Sequence, residues 1–128
     1  MDIRPARMSD AELLFQWRND PLTCAMSRSS DPASWDAHIS WLTGRLARSE
    51  PHIYIAETST PVGTFRLDGD EISYTVAPEA RGKGIGLAML CGASEMFGPL
   101  RAEIYERNTV SIRIAQRAGM ILHIMPDT

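Results

Sequence analysis

Apolar positions set the elements along this chain, and their period changes twice. A short strand is predicted over 1–6 (MDIRPA). Leu13, Leu14 and Trp17 then fall on one face of a helix over 10–20, with Ser9 as its N-cap and Asp20-Pro21 as its stop. Residues 21–31 read as a loop, and Trp35, Ile39, Leu42 and Leu46 recur at helical intervals within a second amphipathic helix over 32–48. In the middle, HIYIAE at 52–57, VGTFRL at 62–67 and EISYTV at 71–76 are rich in β-formers and separated by turn residues, which predicts three antiparallel strands. The stretch 84–97 is apolar on nearly every side (Ile85, Leu87, Ala88, Met89, Leu90, Met96), as in a helix laid on a sheet. A strand at 101–105, a helix over 108–118 closed by Gly119 and a short strand at 121–125 complete the chain. The order βααβββαβαβ, with one strand–glycine loop–helix crossover, predicts an α+β domain. Its sheet is mixed and mostly antiparallel, with flanking helices.

Composition narrows the function classes. The 128 residues, 44% hydrophobic and 23% charged, suit one globular domain spanning 1–128 with a short C-terminus, and neither a repeat nor a linker is visible. Sixteen acids against thirteen bases give a net charge of -3, and no window gathers enough Lys or Arg to follow a phosphate backbone. Nucleic acid is therefore not an expected partner. Cys24 and Cys91 stand in no metal-binding spacing, and His38, His52 and His123 have no ligand pattern, so no metal is expected and these residues are read as packed or exposed. No window approaches the roughly 18 apolar residues of a membrane span. No membrane association and a soluble, cytoplasmic location are expected.

Chemistry concentrates in Val76-Ala-Pro-Glu-Ala-Arg-Gly-Lys-Gly-Ile-Gly86, where a strand enters a glycine-rich turn and then a helix. Glycines let the backbone approach an anion closely. Successive N–H groups turn inward, and the helix N-terminus adds about half a positive charge. A Walker A loop is excluded because Gly84 follows Lys83, and a dinucleotide fingerprint because Leu87 stands where its last glycine belongs. On spacing alone, a glycine turn without a ligand remains an alternative.

The pattern V-x-P-x-x-R-G-x-G-x-G closely resembles the acetyl-CoA motif of the GNAT superfamily, R/Q-x-x-G-x-G/A. The resemblance implies that backbone N–H groups of Arg81, Gly82, Lys83, Gly84, Ile85 and Gly86 hold the CoA pyrophosphate. It also implies that the strand ending near Tyr74 and Val76 bonds the pantetheine arm. Downstream, Asn108, Ser111 and Gly119 match the family's N-x-x-S/A-x-x-x-Y-x-x-x-G-F, with Ala115 at its tyrosine and Met120 at its phenylalanine. Asn108 would contact the pantetheine end, although its position also reads as a plain helix N-cap. The resemblance implies acetyl-CoA as donor and a small-molecule amine as acceptor, and it allows for a homodimer.

Glu71 and Glu103 stand five residues before Val76 and Asn108, positions where the family often places a glutamate base. A base matters most for a lysine-like amine, of which only roughly 0.04% is neutral at pH 7, against roughly 10% for an amine of pKa near 8. Tyr74 and Tyr105 are candidates to replace the tyrosine missing at Ala115. Trp17, Arg18 and Asn19 are candidates for the acceptor pocket. WRNDP at 17–21 and HISWL at 38–42 resemble the branch that acetylates nucleotide-linked amino sugars, whose diphosphate Arg18, Arg28 and Arg66 would suit. The branch acting on ribosomal-protein N-termini shares much of the pattern, and a non-catalytic acyl-CoA-binding module is the alternative from another class.

Overall fold

Turns at 58–60 and 69–70 fold the middle of the chain into a meander, to which the first strand is added in front and two crossovers behind. The computed structural model describes residues 1–26, 32–48 and 52–127. Its elements are β1 (Asp2–Pro5), α1 (Ala11–Arg18), α2 (Pro21–Met26), α3 (Trp35–Leu46), β2 (Ile53–Glu57), β3 (Pro61–Asp68), β4 (Glu71–Val76), α4 (Ile85–Phe97), β5 (Arg101–Tyr105), α5 (Thr109–Arg117) and β6 (Ile121–Met125). The six strands lie in the order β1-β2-β3-β4-β5-β6. Pairs from β1 to β4 are antiparallel, whereas β4–β5 and β5–β6 are parallel. The sheet is mixed and mostly antiparallel as expected, with the glycine-loop crossover through α4 and a second helical connection through α5.

Two local expectations need correction. Residues 21–26, read as loop, form α2: the Asp20 carboxylate accepts the Thr23 N–H at 3.2 Å, and Pro21 opens the helix. Proline at the first helical position loses no needed donor, so Asp-Pro here starts a helix as well as ending one. Ser9 is not the cap of α1; it lies inside a 3-10 turn, Met8–Asp10. The turn is held by buried Asp10, which accepts the Arg7 N–H at 2.8 Å and two guanidinium N–H groups of Arg4, each at 2.8 Å. That fork holds the Asp10 carboxyl below its ordinary range, against the opposing pull of burial.

The core lies between sheet and helices, with Phe65, Leu42, Ile55, Met89 and Leu90 fully enclosed. Met89 is core filler, as expected, whereas Met96 and Phe97 at the end of α4 face solvent. The feature that positions the site is the junction of β4 and β5. These strands share one pair, Glu71↔Arg101. Beyond it β4 keeps pairing with β3 up to Gly63↔Val76, and β5 pairs with β6 up to Tyr105↔Met125. The sheet therefore opens as a wedge toward the strands' carboxyl ends.

Candidate active site

A cavity of about 470 Å³ occupies this wedge and continues under α1 and α3. Glu71 and Tyr74 from β4, Glu103 and Tyr105 from β5, and Asn108 and Ser111 at the start of α5 line one part of it. Trp17, Arg18, His38, Trp41 and Arg66 line the other. Parallel strands that part after one pair leave backbone groups facing a gap rather than each other, and such gaps in α/β sheets are where ligands bind.

The glycine loop meets α4 beside the wedge. Gly84 is the N-cap of α4 with φ 77°, a left-handed conformation strained for any side chain, and Gly82 has φ 75°. The first turn of α4 has neither a capping side chain nor an acidic residue, so its N–H donors and the positive end of its dipole suit an anion. A Cβ on Gly86 would lie 3.2 Å from Ile114 Cδ1 and 3.5 Å from both Tyr74 Cε2 and Val76 Cγ2, so glycine lets β4, α4 and α5 converge. The residues fit a pyrophosphate, with one adjustment. The Arg81 N–H is turned toward the Pro78 carbonyl at 3.4 Å, and the Arg81 side chain binds Asp20 at 2.7 Å and Thr23 at 3.2 Å. Its guanidinium thus ties the loop to the start of α2, and the donors suited to phosphate are those of Gly82, Lys83, Gly84, Ile85 and Gly86.

Across the wedge, the Tyr74 hydroxyl and Ser111 Oγ share a hydrogen bond of 2.6 Å. Burial raises the Tyr74 phenol above its usual pKa, opposed by the Ser111 bond, so it remains protonated at neutral pH. Asn108 Oδ1 accepts the Ser111 N–H at 3.3 Å, the N-cap bond read from sequence. Ala115 is fully buried and does not line the cavity. Glu103 pairs with Arg101 Nη1 at 3.1 Å and approaches His123 Nδ1 at 3.9 Å. Glu71 stands beside Arg101 at the point where the strands part. Both glutamates reach the cavity.

Trp17 is buried and forms part of the cavity wall, and Arg18 lines it next to Trp41, with its guanidinium carbon 5.0 Å from the ring centroid. Asn19 does not join them. Its amide makes two bonds to Ala33, donating to the carbonyl at 3.0 Å and accepting the N–H at 2.9 Å, which fixes the approach to α3. Arg28 lies outside the described residues.

The acetyltransferase (GNAT) domain model matches residues 1–121. The chain belongs to the GNAT acetyltransferase family. It is an acetyl-CoA-dependent N-acetyltransferase, and its fold agrees. It superposes on yncA of Salmonella typhimurium, solved with its cofactor acetyl-CoA, with TM-score 0.70 and 24% identity over 93% of this chain and 78% of that one. An N-acetyltransferase of Staphylococcus aureus Mu50 matches with TM-score 0.69 and 25% identity over 92% and 81%. Spermidine N-acetyltransferase of Vibrio cholerae, solved with CoA and spermine, gives TM-score 0.78 and 14% identity over 92% and 79%. No curated protein matches by sequence.

Several cavity residues of this acetyltransferase escaped the sequence reading. Thr23, Cys24 and Met26 enter through α2, and Trp41, Asp68 and His38 through tertiary packing. For α2 the signal was Asp-Pro-x-Thr. For His38 there was none, because only packing places it fully buried among Phe15, Trp35 and Trp41. Its Nε2 donates to the Ala11 carbonyl at 2.9 Å and its Nδ1 accepts from Arg18 Nη1 at 3.4 Å, a neutral tautomer fixed by one partner that only accepts and one that only donates. Burial and the Arg18 charge depress its pKa from 6.5, against the Ala11 bond. The unfolded chain then binds the extra proton first, so stability is fully present above pH 6.5 and falls as acid titrates His38 through its lower folded value. Urea unfolding at pH 7.5 and pH 5.5 should show this loss in the wild type and a smaller one in His38→Gln. Equal losses would refute it. Among the described residues no helix is long and apolar enough to cross a membrane, and no three potential ligands gather as a metal site.

Proposed function

We propose that this enzyme transfers the acetyl group by direct attack of a small acceptor's primary amine in a ternary complex, and that the acceptor is an amino sugar, such as a nucleotide-linked one. The observation that carries this reading is the single cavity shared by the β4–β5 wedge and the α1–α3 pocket: donor and acceptor sides meet without a barrier. Acetyl-CoA supplies an activated thioester there. Gly82 to Gly86 would hold its pyrophosphate, and β4 near Tyr74 and Val76 its pantetheine arm, next to Asn108 and Ser111. One of Glu71 and Glu103 takes the amine's proton, through a water where direct reach is lacking. With alanine at 115, the departing thiolate relies on its own modest basicity, near that of a cysteine thiol of pKa about 8.5, and Tyr74 and Tyr105 bring phenol hydroxyls to the cavity wall.

A volume of about 470 Å³ suits a small molecule better than a folded protein surface. Neighbouring structures include enzymes solved with spermine and with kanamycin, a polyamine and an amino sugar, which supports a small polar amine as the class. The test is kcat/KM for UDP- or dTDP-linked 4-amino-4,6-dideoxyhexoses against peptides bearing ribosomal-protein N-termini. The sugars should be preferred. A preference of tenfold or more for peptide would overturn the amino-sugar acceptor.

A further inference from the structure

Beside the cavity, where α1, α3 and β3 meet, two guanidinium groups share a single carboxylate and a third lies over a neighbouring tryptophan. Arg45 Nη1 and Arg66 Nε bind Asp68 at 2.7 and 3.2 Å. The Arg66 guanidinium also lies 5.9 Å from the Trp41 centroid, and Arg18 lies over the same ring at 5.0 Å. Among the described residues Arg18 has no carboxylate partner; its one polar side-chain contact is Nη1 to His38. Among the described residues the Nε–Nη2 edge of Arg18 therefore has no acceptor, and this is the edge that grips a carboxylate or phosphate through two parallel bonds. Arg45 adds to the excess, since its Nε and Nη2 are buried with no hydrogen-bond partner. Orphaned buried donors are costly, and like charges drawn together cost more, so the cluster is organised for something other than stability.

We propose that Arg18 and Arg66, laid on Trp41, form an oxyanion subsite for a phosphate or carboxylate group carried by the acceptor. The inference rests on the reading of this cavity as the acceptor site and adds the chemical class of the acceptor's second group. His38 is the positioning residue. Neutral and anchored to the Ala11 carbonyl, it offers Nδ1 to Arg18 and fixes the guanidinium over the ring; protonated, it would present a donor and a like charge instead. Arg45 acts through Asp68, which Arg45 and Arg66 hold ionised against burial, so that Asp68 in turn orients Arg66. Trp41 supplies a flat face beneath both cations, and all three residues line the cavity. The remaining acids on the cavity wall, Glu71 and Glu103, come from the β4 and β5 side, so the acceptor's amine and its anionic group are drawn to different parts of one cavity.

The test begins without turnover. Protein saturated with CoA, so that the pyrophosphate loop is occupied, is titrated with inorganic phosphate and, separately, with succinate, following tryptophan fluorescence. One of the two should bind the wild type, and which one binds identifies the oxyanion. Arg18→Gln should weaken that binding at least tenfold with CoA affinity unchanged, the latter showing that the variant is folded; Arg18→Lys should recover only part. His38→Gln should weaken it less and make its decline in acid smaller than in the wild type. In turnover, glucosamine 6-phosphate and glucosamine form a matched pair. If phosphate is the oxyanion, the phosphorylated sugar should have the lower KM by tenfold or more at similar kcat, and lose that advantage in Arg18→Gln. Failure of both phosphate and succinate to bind, or equal binding to wild type and Arg18→Gln, would overturn the subsite. Anion binding that depends on Arg18 with neither sugar acetylated would support the subsite and instead count against the amino-sugar acceptor.

Discussion

Glutamine in place of the glutamate that serves as base, either Glu71 or Glu103, is expected to lower kcat by about 10²- to 10⁴-fold at neutral pH. Both carboxylates reach the cavity and both stand near Arg101, but in different settings. Glu103 is bonded to the Arg101 guanidinium, while Glu71 marks the point where β4 and β5 part. Only one of the two positions can serve the same acceptor nitrogen directly, so Glu71→Gln and Glu103→Gln should be strongly unequal. The rate of the impaired variant should recover partly as pH rises toward the amine's own pKa, where the nucleophile is neutral without help. Full pH–rate profiles for the two variants on the true acceptor check this. If both keep wild-type activity, the amine's own basicity suffices and no base is required.

Gly84→Asp should weaken acetyl-CoA binding by well over tenfold, or more than about 1.4 kcal/mol. Two effects act in one direction. The position has φ 77°, which strains a side chain, and a carboxylate would sit where the α4 N-terminus offers its donors to phosphate. Asn at the same position separates them, since it tolerates the left-handed conformation and carries no charge; Gly84→Asn should lose less affinity than Gly84→Asp. Calorimetric titration of CoA into each folded variant is the measurement, and unchanged affinity in Gly84→Asp would sink the assignment of the loop.

The elements carrying strong local signals were legible in the sequence. Gly119, at φ 74°, closes α5 as its place after the apolar pattern predicted, and Asn108 caps the same helix. The meander could be read because period-2 runs alternate with turn residues. Where two local signals competed, the reading failed. Pro21 marks both a stop and a start, and only the Asp20 carboxylate, shared between Thr23 and Arg81, shows that it begins α2. Ser9 lost the cap because Asp10 has Arg4 as a partner, a contact that no single-residue preference encodes.

For the site, the boundary follows the same physics. The sequence alone determined the glycine loop and the helix start that follows it, because backbone conformation at glycines and N–H donors at a helix end are local properties of a short segment. Only the tertiary structure decided which side chains line the cavity beside that loop. It turned the Arg81 side chain to Asp20, took Asn19 out of the pocket to hold Ala33, and brought Trp41, Arg66, Asp68 and buried His38 beside Arg18. Those residues come from α1, α3 and β3, far apart in the chain. Their meeting depends on helix packing against the sheet and on the single β4–β5 pair that opens it, and neither long-range contact leaves a period or a motif in the sequence.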